Sequence, residues 1–200
     1  GIDSYDHDES TTNSLGSMFI LNTLTDRIVF EYSARPSSNK FYETCRRALI
    51  YYNAKANPEN ANKGIITYFE NKNSSHLLCS QPRIVRDVEQ NTTTTLSRPI
   101  GTPPTTKINQ YARTLIAEWL LTPTPNDSKI LNYQRIRSIT LLKELIFWSI
   151  EGNYDRVSAL GMLMILRQDL EKYTVDLEEE NKPDEIVSFF LKNYSAIKNK

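Results

Sequence analysis

Residues 14–35 read SLGSMFILNTLTDRIVFEYSAR, and the pattern of this stretch decides the fold class. Two runs rich in Phe, Ile, Val and Tyr, SLGSMFILN and RIVFEYSAR, flank a polar turn at Thr25-Asp26. β-Branched and aromatic side chains suit a pleated, half-buried surface, and a short polar break between two such runs is the signal of a β-hairpin. Beyond the hairpin the period changes. Pro36 and two serines open a segment from Asn39 to Asn53 in which Phe41, Cys45, Ala48, Leu49 and Tyr52 recur at helical spacing. AKANPENANKG (54–64) holds Pro58 and Gly64 and so contains a turn, leaving room only for a short strand near Ala54–Asn57. ITYFENKNSSHLL (66–78) reads as resumed helix, and residues 83–106, charged and then rich in Thr and Pro, read as an irregular loop or β-arm.

The second half is helical in pattern. NQYARTLIAEWLL, from Lys107 onward, is amphipathic and stops before Pro123, and TPTPNDSK is a break. Residues 134–150 carry the strongest helical pattern, with Ile139, Leu142, Leu145, Ile146, Ser149 and Ile150 along one side. After the turn GNYD, Arg156–Tyr173 is a further amphipathic helix, and an acidic spacer (DLEEENKPDE) leads to a short amphipathic IVSFFLKNY. Strands early and helices late predict an α/β domain with one mixed sheet over 1–174, and 175–200 as a trailing spacer and helix.

Lys and Arg together number 24, as do Asp and Glu, so the net charge is zero, unlike an isolated basic DNA-binding domain. Phosphate binding is still open to such a chain if a cation neutralises it or charge is segregated between faces. Cys45 and Cys79 stand alone without zinc-ligand spacing; the expectation is two reduced thiols of an intracellular protein, with a disulfide as the alternative. No window approaches the about 20 apolar residues of a membrane span, and no basic-then-apolar leader opens the sequence. The chain opens on Gly rather than Met and reads as a piece of something longer.

No phosphate-binding loop, nucleophile elbow or HExxH occurs, and His7 and His76 have no partner pattern. What remains is carboxylate chemistry. Phosphodiester hydrolysis by two metal ions needs several carboxylates converging on one point, and these can be distant in sequence. Asp3 sits where an opening strand would end, Glu59 in a Pro-Asn turn and Asp155 at a helix start. Each also has an ordinary explanation: a solvated acidic terminus, a surface turn residue and a helix N-cap. Basic residues of the 83–113 stretch, Arg83, Arg86, Arg98, Lys107 and Arg113, are candidates for phosphate contact or for a solvated loop.

The order of these segments resembles the nuclease domain of the tailed-phage terminase large subunit. GIDSYDHDES is similar to that family's Gly-x-Asp first-strand motif, PENANKG to its second acidic motif, IGTPPTTKINQYA to its Gly-containing connection, and GNYDRVSALGMLMI to its last motif. The resemblance runs to about residue 170. It implies an RNase H-like fold, with about five strands in a central mixed sheet flanked by helices. It also implies a catalytic, metal-ligating triad at Asp3, Glu59 and Asp155, two Mg²⁺ or Mn²⁺ ions, and Asp6 or Asp8 as weaker auxiliary candidates. The implied activity is cutting of concatemeric double-stranded DNA during packaging in the host cytoplasm, with an ATPase domain, a small terminase subunit and a portal as partners and no membrane. Alternatives are another RNase H-like phosphoryl-transfer enzyme, such as a junction resolvase or integrase, and a non-cleaving module that docks on DNA or a portal.

Overall fold

The computed structural model describes residues 1–6, 14–89, 98–149, 152 and 154–180, the last seven as backbone alone. The chain divides into two compact units, Gly1–Asp169 and Leu170–Lys200, and the sheets and the candidate site belong to the first.

The hairpin forms as its sequence predicts. β2 (Gly16–Asn22) and β3 (Arg27–Ala34) pair antiparallel, with a bulge between Ile20 and Leu21. The turn closes on Asp26, which takes a positive φ of 48°, a conformation that Asp tolerates better than most residues. β1 (Ile2–Asp3) pairs antiparallel with the start of β2, placing Ile2 opposite Met18 and Asp3 opposite Ser17. On its other side β1 meets the 56–59 segment in parallel: Ile2 N donates to Asn57 O at 3.2 Å and Glu59 N to Ile2 O at 2.8 Å. Single bridges carry the pairing outward, Ala56 with Leu78 and Glu59 with Thr102 in parallel, Ser80 with Ile100 antiparallel.

The regular part of this sheet therefore holds three strands where about five were expected. Pro58 explains part of the difference, because it has no N–H to give to a ladder. The segment is extended and paired, but too briefly for a strand.

β2 is buried on both faces, which is why GSMFIL reads as a nearly continuous apolar run. Met18 and Ile20 face a cluster with Phe41, Cys45 and Leu49 of α1 (Ser38–Tyr51) and Ile65 and Phe69 of α2 (Gly64–Asn71). Phe19 faces the opposite cluster, with Ile108, Leu115, Ile116 and Trp119 of α4 (Thr106–Leu121) and Leu160, Met164 and Ile165 of α6 (Asp155–Glu180). Helices thus cover both faces of a small sheet, a mixed α/β architecture. Along α6 the residues Ala159, Leu160, Met162, Leu163, Met164 and Ile165 are all buried, as expected of a helix that is apolar all round.

Four local expectations are corrected. The helix expected over 66–78 is α2 alone: Asn73 enters the left-handed region at φ 49°, and only a 3₁₀ turn at Ser75–Leu77 follows. Residues 83–89, expected to be irregular, form α3 (Arg83–Glu89), with Ile84 and Val85 buried; the Asp169 carboxylate accepts from Ile84 N at 2.9 Å at its start. The break TPTPNDSK is a second hairpin, β4 (Pro123–Thr124) with β5 (Asp127–Leu131).

The helix expected over 134–150 shrinks to α5 (Ile139–Phe147), capped by Ser138 Oγ, which accepts from Leu141 N at 3.2 Å. A 3₁₀ turn at Asn132–Arg135 occupies its expected start, held by the buried Asn132 amide, which donates to Asp26 and to Trp119 O. The expected apolar stripe is split: Ile139 and Ile146 are exposed, Leu142 and Leu145 are half-buried with Leu145 against the core, and Leu141, outside the stripe, is the fully buried residue. Helix α6 in turn continues to Glu180, through the first five residues of the expected acidic spacer, 176–180. Among the described residues no helix is long and apolar enough to cross a membrane.

Candidate metal centre

Three separate elements carry Asp3, Glu59 and Asp155 to one place. Asp3 ends β1, and β1 lies flush on α6: a Cβ on Gly1 would fall 2.0 Å from Ala159 O and 2.4 Å from Leu163 N. Glu59 is fixed beside β1 by its own N–H on Ile2 O and by its bridge to Thr102. Gly101 makes that bridge possible, with φ at 78° and no room for a side chain against Pro58 O. Asp155 is the first residue of α6 and is buried.

The electrostatics record this convergence. The Asp3 carboxyl is pushed well above the usual carboxylate range, first by burial, then by the negative charges of Glu59 and Asp155; a hydrogen bond from Ser158 opposes the shift. Glu59 is raised to about 6, again by burial first and then by the Asp155 charge. Like charges gathered in a poorly solvated place cannot all ionise, so the cluster holds protons that isolated carboxylates would have lost.

Asp155 does not act as the N-cap its sequence context suggested. Its two oxygens reach across to the start of β2, accepting from Ser14 Oγ at 2.8 Å and Leu15 N at 2.7 Å. The carboxylate thus fastens α6 to the sheet instead of satisfying its own helix.

Among the described residues, no group of three or more His, Cys, Asp or Glu side chains stands in an arrangement that could already hold a metal ion. The charge coupling among Asp3, Glu59 and Asp155 shows proximity, and both Asp155 oxygens already accept hydrogen bonds, from Ser14 and Leu15. Even so, the donor set fits a hard divalent cation: all three are carboxylates, and their mutual repulsion is what a cation would relieve.

Of the two auxiliary candidates, Asp6 is engaged elsewhere. Asp6 accepts from Tyr42 OH at 2.8 Å and from Gly64 N at 3.1 Å, so it anchors the start of α2. Asp8 and His7 lie outside the described residues. His76 is exposed on the 3₁₀ turn, and Cys45 and Cys79 are free thiols, Cys45 buried. Of the basic candidates, Arg98 donates to Gln81 O at 3.1 Å and the Arg113 guanidinium lies 4.1 Å from the centre of the Trp148 ring. Arg83 and Lys107 are exposed, on α3 and on the first turn of α4.

Two supporting residues were missed in the sequence. Ser158 stands three positions after Asp155, hence on the same face of α6, and that spacing was a usable signal. Asn57 had none: its amide donates to Met162 O at 2.9 Å and its Oδ1 accepts from Thr102 Oγ1 at 2.9 Å, both far away in the chain. No family profile, curated protein or solved structure matches this chain.

Proposed function

We propose that this chain is a metal-dependent endodeoxyribonuclease with an RNase H-like core, acting as the nuclease domain of a tailed-phage terminase large subunit does. The observation that carries this reading is the convergence of Asp3, Glu59 and Asp155 from β1, the 56–59 segment and α6, with Asp3 and Glu59 both held toward protonation first by burial and then by neighbouring carboxylates. A structural ion-pair network would surround such carboxylates with Lys or Arg. Here the charges that shift Asp3 and Glu59 are other carboxylates, the pattern of a site built for a cation.

Divalent cations such as Mg²⁺ or Mn²⁺ would supply the Lewis acidity that activates water and stabilises the leaving oxygen of a phosphodiester. The chain's own part is to position. Asp3 and Glu59 are set side by side by the parallel pairing of β1 with 56–59, and Asp155 enters from the helix that covers them. Ser158 orients the Asp3 carboxyl. The substrate in this reading is concatemeric double-stranded viral DNA, cut during packaging in the host cytoplasm. An ATPase domain, a small terminase subunit and the portal would choose where the cut falls. Zero net charge accords with low intrinsic affinity for DNA and with specificity left to those partners.

A second reading, a non-cleaving module that docks on DNA or a portal, draws on the engagement of both Asp155 oxygens by Ser14 and Leu15. One experiment separates the two. Supercoiled plasmid is incubated with the chain and Mn²⁺, beside Asp155→Asn, which keeps an acceptor for the Ser14 hydroxyl while removing the charge. Nicking and linearisation lost in the variant establish the nuclease. An intact plasmid with folded wild type, or equal cutting by the variant, rejects it.

A further inference from the structure

A cleft of ≈ 240 Å³ opens between α4 and the start of α6. Its wall includes Ser158, the residue whose hydroxyl is bonded to Asp3, so the cleft adjoins the carboxylate group. Across from Ser158 stand Asn109, Gln110 and Arg113 of α4, with Trp148 and Tyr154 from the connection into α6. The Arg113 guanidinium lies over the Trp148 indole at 4.1 Å, and Arg113, Asn109 and Gln110 are exposed. Tyr154 OH donates to Phe147 O at 2.6 Å and fixes the far wall.

A planar cation backed by an indole, with two carboxamides beside it, suits a flat heteroaromatic ring that carries hydrogen-bonding edges and belongs to an anionic chain. We propose that this cleft takes one unstacked nucleobase of the strand being cut, stacked on the outer face of the Arg113–Trp148 pair with Asn109 and Gln110 along its edge. The proposal rests on the nuclease reading and adds a substrate preference to it. DNA with an unpaired or frayed nucleotide at the cut engages the cleft, whereas intact duplex must first give up stacking. Occupancy also places the adjoining phosphate on the Ser158 side, toward Asp3.

The test is a metal-free binding titration in EDTA, in which no strand can be cut. Trp119 is only 2% exposed, so quenching of tryptophan emission by a short single-stranded DNA oligonucleotide reports on Trp148. The expected result is saturable quenching, with single strand bound more tightly than a blunt duplex of the same sequence. Arg113→Ala, at an exposed position, should keep the wild-type melting temperature and weaken binding about tenfold, within the range for loss of one base-stacking partner. Arg113→Lys, which keeps charge without the planar face, should be nearly as weak. Equal binding by Arg113→Ala, absence of quenching while anisotropy shows the oligonucleotide bound, or full rescue by Arg113→Lys would each overturn the cleft assignment. So would failure of the oligonucleotide to bind at all. Cutting is measured separately with Mn²⁺: quenching without cutting leaves the cleft and removes the nuclease, and cutting with binding insensitive to Arg113 does the reverse.

Discussion

The side-chain amide of Asn57 donates to the main-chain oxygen of Met162 at 2.9 Å, joining residues 105 positions apart. The same side chain accepts from Thr102, and its main-chain oxygen accepts from Ile2 N. One fully buried residue thus locks β1, the 100–102 segment and α6 into a common register, two positions before Glu59.

Asn57→Ala should therefore be costly twice over. It leaves the Thr102 hydroxyl and the Met162 carbonyl without this partner, a loss of about 2 kcal/mol for a buried site. Urea unfolding measures that directly. Cutting should fall by more than the unfolded fraction explains, because the segment that carries Glu59 loses its side-chain bonds to Thr102 and Met162. A stability change within about 0.5 kcal/mol of zero, the range of ordinary surface substitutions, would show that the lock is not where the register is set.

Asp3→Asn is nearly isosteric and removes a carboxyl that the folded cluster keeps only by burying its charge beside others or by holding its proton. Without metal the variant should melt higher than the wild type, a gain of about 0.5–2 kcal/mol typical of relieving strain at a functional site. With Mn²⁺ the order should reverse, because a ligand that binds only the folded state stabilises it and the variant has lost a ligand. Cutting should be abolished. Differential scanning fluorimetry with and without Mn²⁺ decides it, and a variant that melts lower in both conditions contradicts the repulsion argument.

The pH dependence follows from Glu59. Its folded value of about 6 lies above the about 4.3 of an unfolded glutamate, so between these values the folded state binds more protons. Its contribution to stability is present below about 4.3 and is lost as pH rises through about 6. One other group must be kept apart from it. Glu43, drawn down to about 2 chiefly by hydrogen bonds from Arg46 and Arg47, contributes stability that is present above the unfolded glutamate value and is lost as pH falls toward about 2, a slope of opposite sign that sets in near the lower end of the Glu59 window.

Glu59→Gln retains Glu43 and so cancels it in a comparison. The variant should exceed the wild type in metal-free melting temperature near pH 7, and the gap should close as the pH falls toward about 4.3, where the unfolded glutamate also takes up its proton. Saturating Mn²⁺ should invert the gap at the higher pH, since metal binding displaces protons from its ligands. A gap independent of pH would place the Glu59 carboxyl outside the coupled group.

The sequence carried several elements plainly. The hairpin of β2 and β3, α1, α4 and the core of α6 were legible because each buries its own repeating pattern, and period is a local property. It was less informative over 134–150, where an apolar stripe along one side gave a helical pattern longer than the helix that forms. The buried bonds of Asn132 to Asp26 and Trp119 spend its first turn on a 3₁₀ segment instead. Residues 83–89 misled in the other direction, since a carboxylate 85 positions away, on Asp169, sits at the start of their helix.

For the site, the sequence alone supplied the candidates: Asp3, Glu59 and Asp155 carry hard oxygen atoms and stand at the ends or starts of elements or in a turn. Only the tertiary structure decided that they meet, that Asp155 turns toward Ser14 and Leu15 and not back onto its own helix, and that Ser158 and Asn57 hold the others in place. The physical reason is range. Side-chain period and turn chemistry act over a few residues and are written locally. The burial that chiefly raises Asp3 and Glu59, and the repulsion that adds to it, act between segments more than 50 residues apart in sequence and exist only once β1, the 56–59 segment and α6 are packed together.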